Sequence, residues 1–431
     1  MAQHHGTPAL RAGSATAVLL GILAMLATVL IGSLAFANLG DDEAATPVAD
    51  GSGITADGSG APAEEADAHA ADAGDSASAD QDGATGEDST DSRGPTAADR
   101  GDGTRAGATA PDEPALDPGT EVRLAVVGDI MLSRAVGERM EQDGTEAVLA
   151  GVRDQLHDAD LTVGNLESPL CTDGTPAPKR FLLKADPVGL EVLQDGSFDV
   201  LSLANNHILD YGPECMRSTI ERLDGAGIGH VGAGNTLKEA GEPLFVESNG
   251  MRIAFLSYLQ MPVERSGFDS RTWTATEDSP GLPWGTPEAI TEDVEAATPE
   301  ADHVIVLLHS GWEKTETLSP EQQANGEAAL ASGATAVLGA HPHRLQAHHE
   351  EDGQFVAWSM GNFVFDYPDG PPESDSAVLH LTIDPEGVKA HEWTPVLIQG
   401  GFPVAVEPDG AGARILDHLD RTSAEYAATR D

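Results

Sequence analysis

The chain has 431 residues and carries 72 acidic against 23 basic side chains, a formal net charge of -49 at pH 7. Binding through a phosphate backbone needs clustered Lys and Arg, so this balance argues against nucleic acid as a partner. The two cysteines lack CxxC-type spacing, which argues against a cysteine-based metal centre.

Residues 1–14 form a short N-terminus expected in the cytoplasm. From Ala15 to Leu39 no residue is charged; Arg11 precedes the run, and Asp41, Asp42 and Glu43 follow it. A run of this length can span a bilayer, and a basic residue on its amino side orients that end inward. Residues 15–39 are therefore expected to be a transmembrane signal anchor, making this a single-pass protein of the cell membrane with its folded part extracellular. Ala35-Phe36-Ala37 has the small-x-small form of a cleavage site and keeps a removed signal peptide as the rival reading. Residues 40–119 contain almost no large apolar side chain, so they cannot bury enough surface to offset the entropy of ordering. An acidic disordered linker is expected there.

Residues 120–400 read as one alternating α/β domain, with 401–431 as a C-terminal extension. Five short apolar runs read as buried strands: Val122 to Val127, Leu161 to Val163, Val200 to Leu203, Val304 to Leu308 and Thr335 to Leu338. Further strands are expected at Arg252 to Tyr258, Phe355 to Ser359 and Ala377 to Ile383. Helices are expected at Gly144 to His157, Pro187 to Gln194, Pro213 to Ala226, Pro287 to Ala297 and Pro320 to Ser332, several of them opened by the proline that a first helical position tolerates. The polar stretch from Gln260 to Trp284 reads as a long loop overhanging the strand ends. Cys171 and Cys215 either pair, as an oxidising exterior favours, or remain two buried thiols. His348 and His349, followed by Glu350, Glu351 and Asp352, read as a solvated hairpin tip.

Each of the five apolar runs is followed by a polar cluster. These are Gly128-Asp129, Asn165-Leu166-Glu167, Asn205-Asn206-His207 with Asp210, His309 with Glu313, and His341-Pro342-His343. Ligands of open α/β sheets gather beyond the carboxyl ends of the strands, and Asp, Glu, Asn and His without cysteine are the donor inventory of a divalent metal site. Singly, each cluster has a plainer explanation, such as an aspartate capping a turn or helix. Five in succession point to one shared site.

Gly128-Asp129-Ile130-Met131-Leu132, Asn165-Leu166-Glu167-Ser168-Pro169, Ser202 to His207 with Asp210-Tyr211-Gly212, Gly339 to His343, and Ser359 to Asp366 resemble, in order, the motifs of the CapA family. Its members, also called PgsA-type proteins, are membrane-anchored capsule or poly-γ-glutamate synthesis proteins. The resemblance implies a four-layer α/β/β/α sandwich similar to the metallo-dependent phosphatases. It also implies one or two divalent ions (Mn, Fe or Zn) held by Asp129, Glu167, Asn206, His309, His341 and His343. On the same pattern His207 stays off the metal as general acid or oxyanion donor, and Asp210 orients it. Met131 stands where the phosphoesterase pattern has a histidine, and Asn165-x-Glu167 replaces a Gly-Asp pair, so a single ion is an open alternative.

Two functions follow from the resemblance. One is an extracytoplasmic metal-dependent hydrolase or transferase acting on a phosphoester or a γ-glutamyl amide during capsule assembly, with an anionic polymer or phosphoester as substrate and membrane capsule-synthesis subunits as partners. The other is a non-catalytic scaffold of a capsule-export complex with a structural or vestigial metal pocket.

Overall fold

The computed structural model describes residues 116–430, apart from 118, 265 and 367–369. The N-terminus and anchor expected over 1–39, and nearly all of the linker expected over 40–119, lie outside these residues. Among the described residues no helix is long and apolar enough to cross a membrane.

The chain opens with β1 (Val122–Ile130), α1 (Arg134–Asp143), α2 (Arg153–His157) and β2 (Leu161–Leu166), then α3 (Gly189–Asp195), β3 (Val200–Ser202), α4 (Gly212–Ala226) and β4 (Gly229–Val231). Next come α5 (Leu237–Gly241), β5 (Leu244–Ser248), β6 (Met251–Gln260), α6 (Pro287–Ala297), β7 (His303–Ser310), α7 (Pro320–Ala331) and β8 (Ala336–Ala340). It closes with β9 (His348–Glu351), β10 (Gln354–Ala357), β11 (Asn362–Val364), β12 (Asp375–Asp384), β13 (Gly387–Gln399), β14 (Phe402–Ala405) and α8 (Ala411–Ala427).

The strands form two sheets. One runs β14-β13-β12-β1-β2-β3-β4, with β11 also pairing β1; the other runs β5-β6-β7-β8-β10-β9. β1 to β4 are parallel in the first sheet, as are β6, β7, β8 and β10 in the second. Period-two alternation along each strand divides the core into layers. Leu124 and Val126 of β1, Ile253 and Phe255 of β6, and Ile305 and Leu307 of β7 meet between the sheets. The intervening residues face outward. Ala125 and Val127 pack with Val136 and Met140 of α1 and with Met216 and Leu223 of α4. Val304, Val306 and Leu308 pack with Ile290 and Val294 of α6 and Ala329 of α7. The order is therefore helices, sheet, sheet, helices.

Three sequence expectations change. The helix expected over Gly144 to His157 is a short 3-10 turn followed by the five-residue α2. Gly151 interrupts it by pairing with Val404 of β14, an approach so close that a Cβ at this position would lie 2.7 Å from the Pro403 carbonyl oxygen. Residues 401–431 are not an appendage: β14 extends the first sheet, and α8 buries Ile415, Leu419 and Tyr426 against it and its neighbours. His348 is no solvated tip, because its backbone N–H and imidazole both meet the Ser423 hydroxyl of α8 at 2.9 Å and its ring packs on Phe355 and Trp393. Cys171 and Cys215 form a disulfide that ties the segment after β2 to α4.

Candidate metal centre

The site is built at the carboxyl ends of parallel strands from both sheets, where side chains of inward parity turn polar. In β7 the odd-numbered Ile305 and Leu307 face the other sheet, and His309 continues that row. In β1 the inward residues are the even-numbered Leu124 and Val126, yet Asp129 is the one beside Asn165. A register shift between Val126 and Asp129 makes the change of parity, the usual effect of a bulge in re-aiming a side chain. Gly128 is required there because a Cβ would lie 1.9 Å from the Gly361 carbonyl oxygen.

Asp129, Glu167 and His343 are buried and offer ligand atoms that all lie within 4.8 Å of one another. Asn165 Nδ2 donates to Asp129 Oδ1 at 2.8 Å, while Oδ2 lies 3.1 Å from His343 Nδ1. Neither oxygen of Glu167 accepts a hydrogen bond. Burial, reinforced by the Asp129 charge, pushes the Glu167 pKa well above the usual carboxylate range. Burial alone would lower His343, but Glu167 and Asp129 outweigh it and raise the imidazole to about 9. His343 Nδ1 lies 2.9 Å from Asn362 Oδ1, and this hydrogen bond turns Nε2 toward Glu167 Oε1 at 3.8 Å. An outer hydrogen bond of this kind is how proteins fix the tautomer of a ligating histidine.

Asn206, His309 and His341 form an adjoining group. His309 Nε2 lies 3.0 Å from Asn206 Oδ1, and the His309 and His341 rings are 4.8 Å apart. Nδ1 of both histidines is buried without a partner, and burial together with neighbouring imidazoles holds both rings well below the ordinary histidine pKa. Buried polar groups are nearly always satisfied, so four atoms of Glu167, His309 and His341 without a hydrogen-bond partner are a fit for a bound cation. His341 and His343 also take positive φ values of 96° and 56°, a conformation costing about 1–3 kcal/mol for a residue with a side chain and concentrated at functional sites. The buried Asp-Glu-His triad thus has the chemistry of a divalent metal site.

His207 stands at the edge of this group, its Nε2 3.7 Å from Glu167 Oε1 and its Nδ1 2.6 Å from Asp210 Oδ2. Burial, then Lys179, depresses the imidazole well below its ordinary value. Burial raises Asp210 to about 7 against the opposing pull of Lys179 and of the Leu183 N–H, which donates to Oδ2 at 2.6 Å. Asn205 Oδ1 accepts from the N–H groups of His207 and Ile208, fixing the turn that carries the pair.

All eight side chains expected at the site are thus brought to one region. Met131 is buried and engaged with Ser133 through its sulfur, so it supplies no substitute for a missing histidine. Glu313 is exposed on the segment after β7. The sequence assigns no role to Asn165 or Arg134, and it leaves Lys179, with Arg180 and Lys184, equally open to contact with a carboxylate-rich or phosphorylated substrate and to surface ion pairing. Arg134 ion-pairs with Asp366, and Lys179 is buried beneath the site. The position of Asn165 near the end of β2, two residues before Glu167, is the signal that could have placed it beside Asp129.

Residues 123–367 match the family model described as "Bacterial capsule synthesis protein PGA_cap". The chain is 31% identical over 294 residues to "Capsule biosynthesis protein CapA" of Bacillus anthracis, covering 66% of this chain and 70% of that protein. It is also 31% identical over 286 residues to "PGA biosynthesis protein CapA" of Bacillus subtilis (strain 168), covering 66% and 73%. Among solved structures it bears a remote likeness to a putative 5'-nucleotidase of Staphylococcus aureus, at 15% identity and a TM-score of 0.39, covering 69% of this chain and 58% of that one.

Proposed function

The chain belongs to the bacterial capsule synthesis protein family PGA_cap, and from that premise we propose that it is a membrane-anchored, extracytoplasmic metal-dependent hydrolase or transferase acting on a phosphoester or a γ-glutamyl amide during assembly of an anionic capsule polymer. One observation carries the reading: buried oxygen and nitrogen donors stand without partners next to a histidine whose tautomer an aspartate fixes.

Asp129, Glu167 and His343 would hold a divalent cation, with Asn206, His309 and His341 placed for a second. A cation there supplies Lewis acidity and lowers the pKa of water. Asn362 and Asn165 orient their ligating neighbours by the hydrogen bonds described above. His207 and Asp210 share a proton between Nδ1 and Oδ2, so Nε2 is the position that accepts a proton from water or substrate and later returns it. This makes base action its first role, where the family pattern implies a general acid or an oxyanion donor. The anionic polymer and the acidic protein would repel one another unless cations lie between them, which also favours a bound metal.

The test is a screen of the full-length, metal-loaded chain against phosphoester and γ-glutamyl substrates, with His207→Ala and Asp129→Ala alongside. Turnover lost in both variants supports the enzyme. If folded His207→Ala still sustains polymer formation in cells, the reading fails and a scaffold takes its place.

A further inference from the structure

Lys179 precedes the exposed residues Arg180 and Phe181, yet its own side chain has no solvent exposure. Its ammonium lies 3.0 Å from Asp210 Oδ1 and 3.1 Å from Glu264 Oε1, and donates to the main-chain carbonyl of Asn206. The Trp273 and Phe268 rings cover it at 5.1 and 5.5 Å. Carboxylates, a carbonyl and aromatic faces thus surround the charge, which excludes Lys179 from meeting a substrate directly.

These partners come from two separate parts of the chain. Asn206 and Asp210 belong to the turn that carries His207. Glu264, Phe268 and Trp273 belong to the irregular stretch between β6 and α6, which with Arg180, Phe181, Trp312 and His341 lines a cleft of about 550 Å³ beside the metal donors. A buried ammonium removed from water needs strong compensation, and breaking a buried pair leaves the remaining charges uncompensated. The stretch and the turn therefore share one electrostatic support.

We infer that Lys179 is a positioning residue that couples the 264–273 stretch to the His207–Asp210 pair, so that the wall of the cleft and the orientation of the imidazole are set together. The inference rests on the reading of His207 and Asp210 as the working pair of this site. Glu264 is the outer half of the coupling. It touches Lys179, which touches Asp210, whose other oxygen holds His207 Nδ1.

The test uses the full-length chain with Glu264→Gln, Lys179→Met and Lys179→Arg. Two readouts are taken: hydrogen exchange of the amides at 266–274, and the downfield proton resonance of the His207–Asp210 hydrogen bond, assigned by its loss in His207→Asn. Glu264→Gln and Lys179→Met should each accelerate exchange by about tenfold or more and move the resonance, and Lys179→Arg should retain part of both wild-type signatures. Faster exchange with an unmoved resonance, or no change in either readout, overturns the coupling. Should Lys179→Met fail to fold, Glu264→Gln decides alone. Bound metal measured on the same samples tests the catalytic reading separately: a chain without metal in which both readouts move keeps the coupling and loses the enzyme.

Discussion

Glu167 has both carboxylate oxygens buried without a hydrogen-bond donor and lies in the field of Asp129, a combination that costs stability unless a cation supplies the missing charge. Glu167→Gln should therefore stabilise the metal-free chain by about 1–3 kcal/mol, because it removes the repulsion of two buried carboxylates that the single His343 imidazolium offsets only in part. With divalent metal present the order should invert, since ligand binding to the native state stabilises in proportion to affinity and the variant binds less. Calorimetry of both proteins with and without chelator reads this directly; a variant less stable than wild type in both conditions contradicts it. The ligand-bearing residues were legible because each follows closely on the end of an apolar strand run. Their supports were not: nothing in the type or spacing of Lys179 shows that two carboxylates from distant segments close over it.

At the scale of elements, the bulge in β1 places Asp129, and Gly128 permits it by lying against Gly361. Gly128→Ala forces a methyl group into a main-chain carbonyl that cannot move without shifting β11. A loss of about 3 kcal/mol or more is expected, measured by denaturant unfolding. The attachment of β9 to α8 should be acid-sensitive through His348. Burial, then the neighbouring His391 and His349, lower its pKa to about 4. Between roughly pH 6.5 and 4 the unfolded chain binds the proton and the folded one does not, so the contribution of His348 is complete above that window and is lost as pH falls through it. His348→Gln should flatten the dependence of stability on pH within this window; an unchanged slope contradicts the assignment.

Elements with one strong period were readable in advance. β6, β7 and β8 alternate between two buried faces, and α6 and α7 begin with a capped proline turn on Thr286 and Ser319. Strands β4 and β11 have three residues each and carry no readable period. β13 turns a mixed face to solvent, with Lys389, Ala390 and Glu392 exposed or half-exposed between buried ends, which hides its pairing with β12. Gly151 broke a helical pattern for a tertiary reason, the approach of β14, that no local rule contains.

At the scale of the molecule, the two sheets and their helices make a single support for the site, and the C-terminal segment belongs to it. Ile415, Leu419, Thr422 and Tyr426 recur on one face of α8 and are buried. A chain ending at residue 400 should therefore expose the surface that α8 covers and aggregate, seen as loss of the monomer in gel filtration. Soluble, cooperatively unfolding protein would contradict this. The acidic surface adds self-repulsion to the compact state, which salt screens.

The measurement that tests the central claim most directly is the metal content of the purified full-length chain by elemental analysis, beside Asp129→Ala and His343→Ala. One or two equivalents of manganese, iron or zinc in the wild type, lost or sharply reduced in both folded variants, is the predicted result. A folded wild-type chain that takes up none of these ions after incubation with each would contradict it.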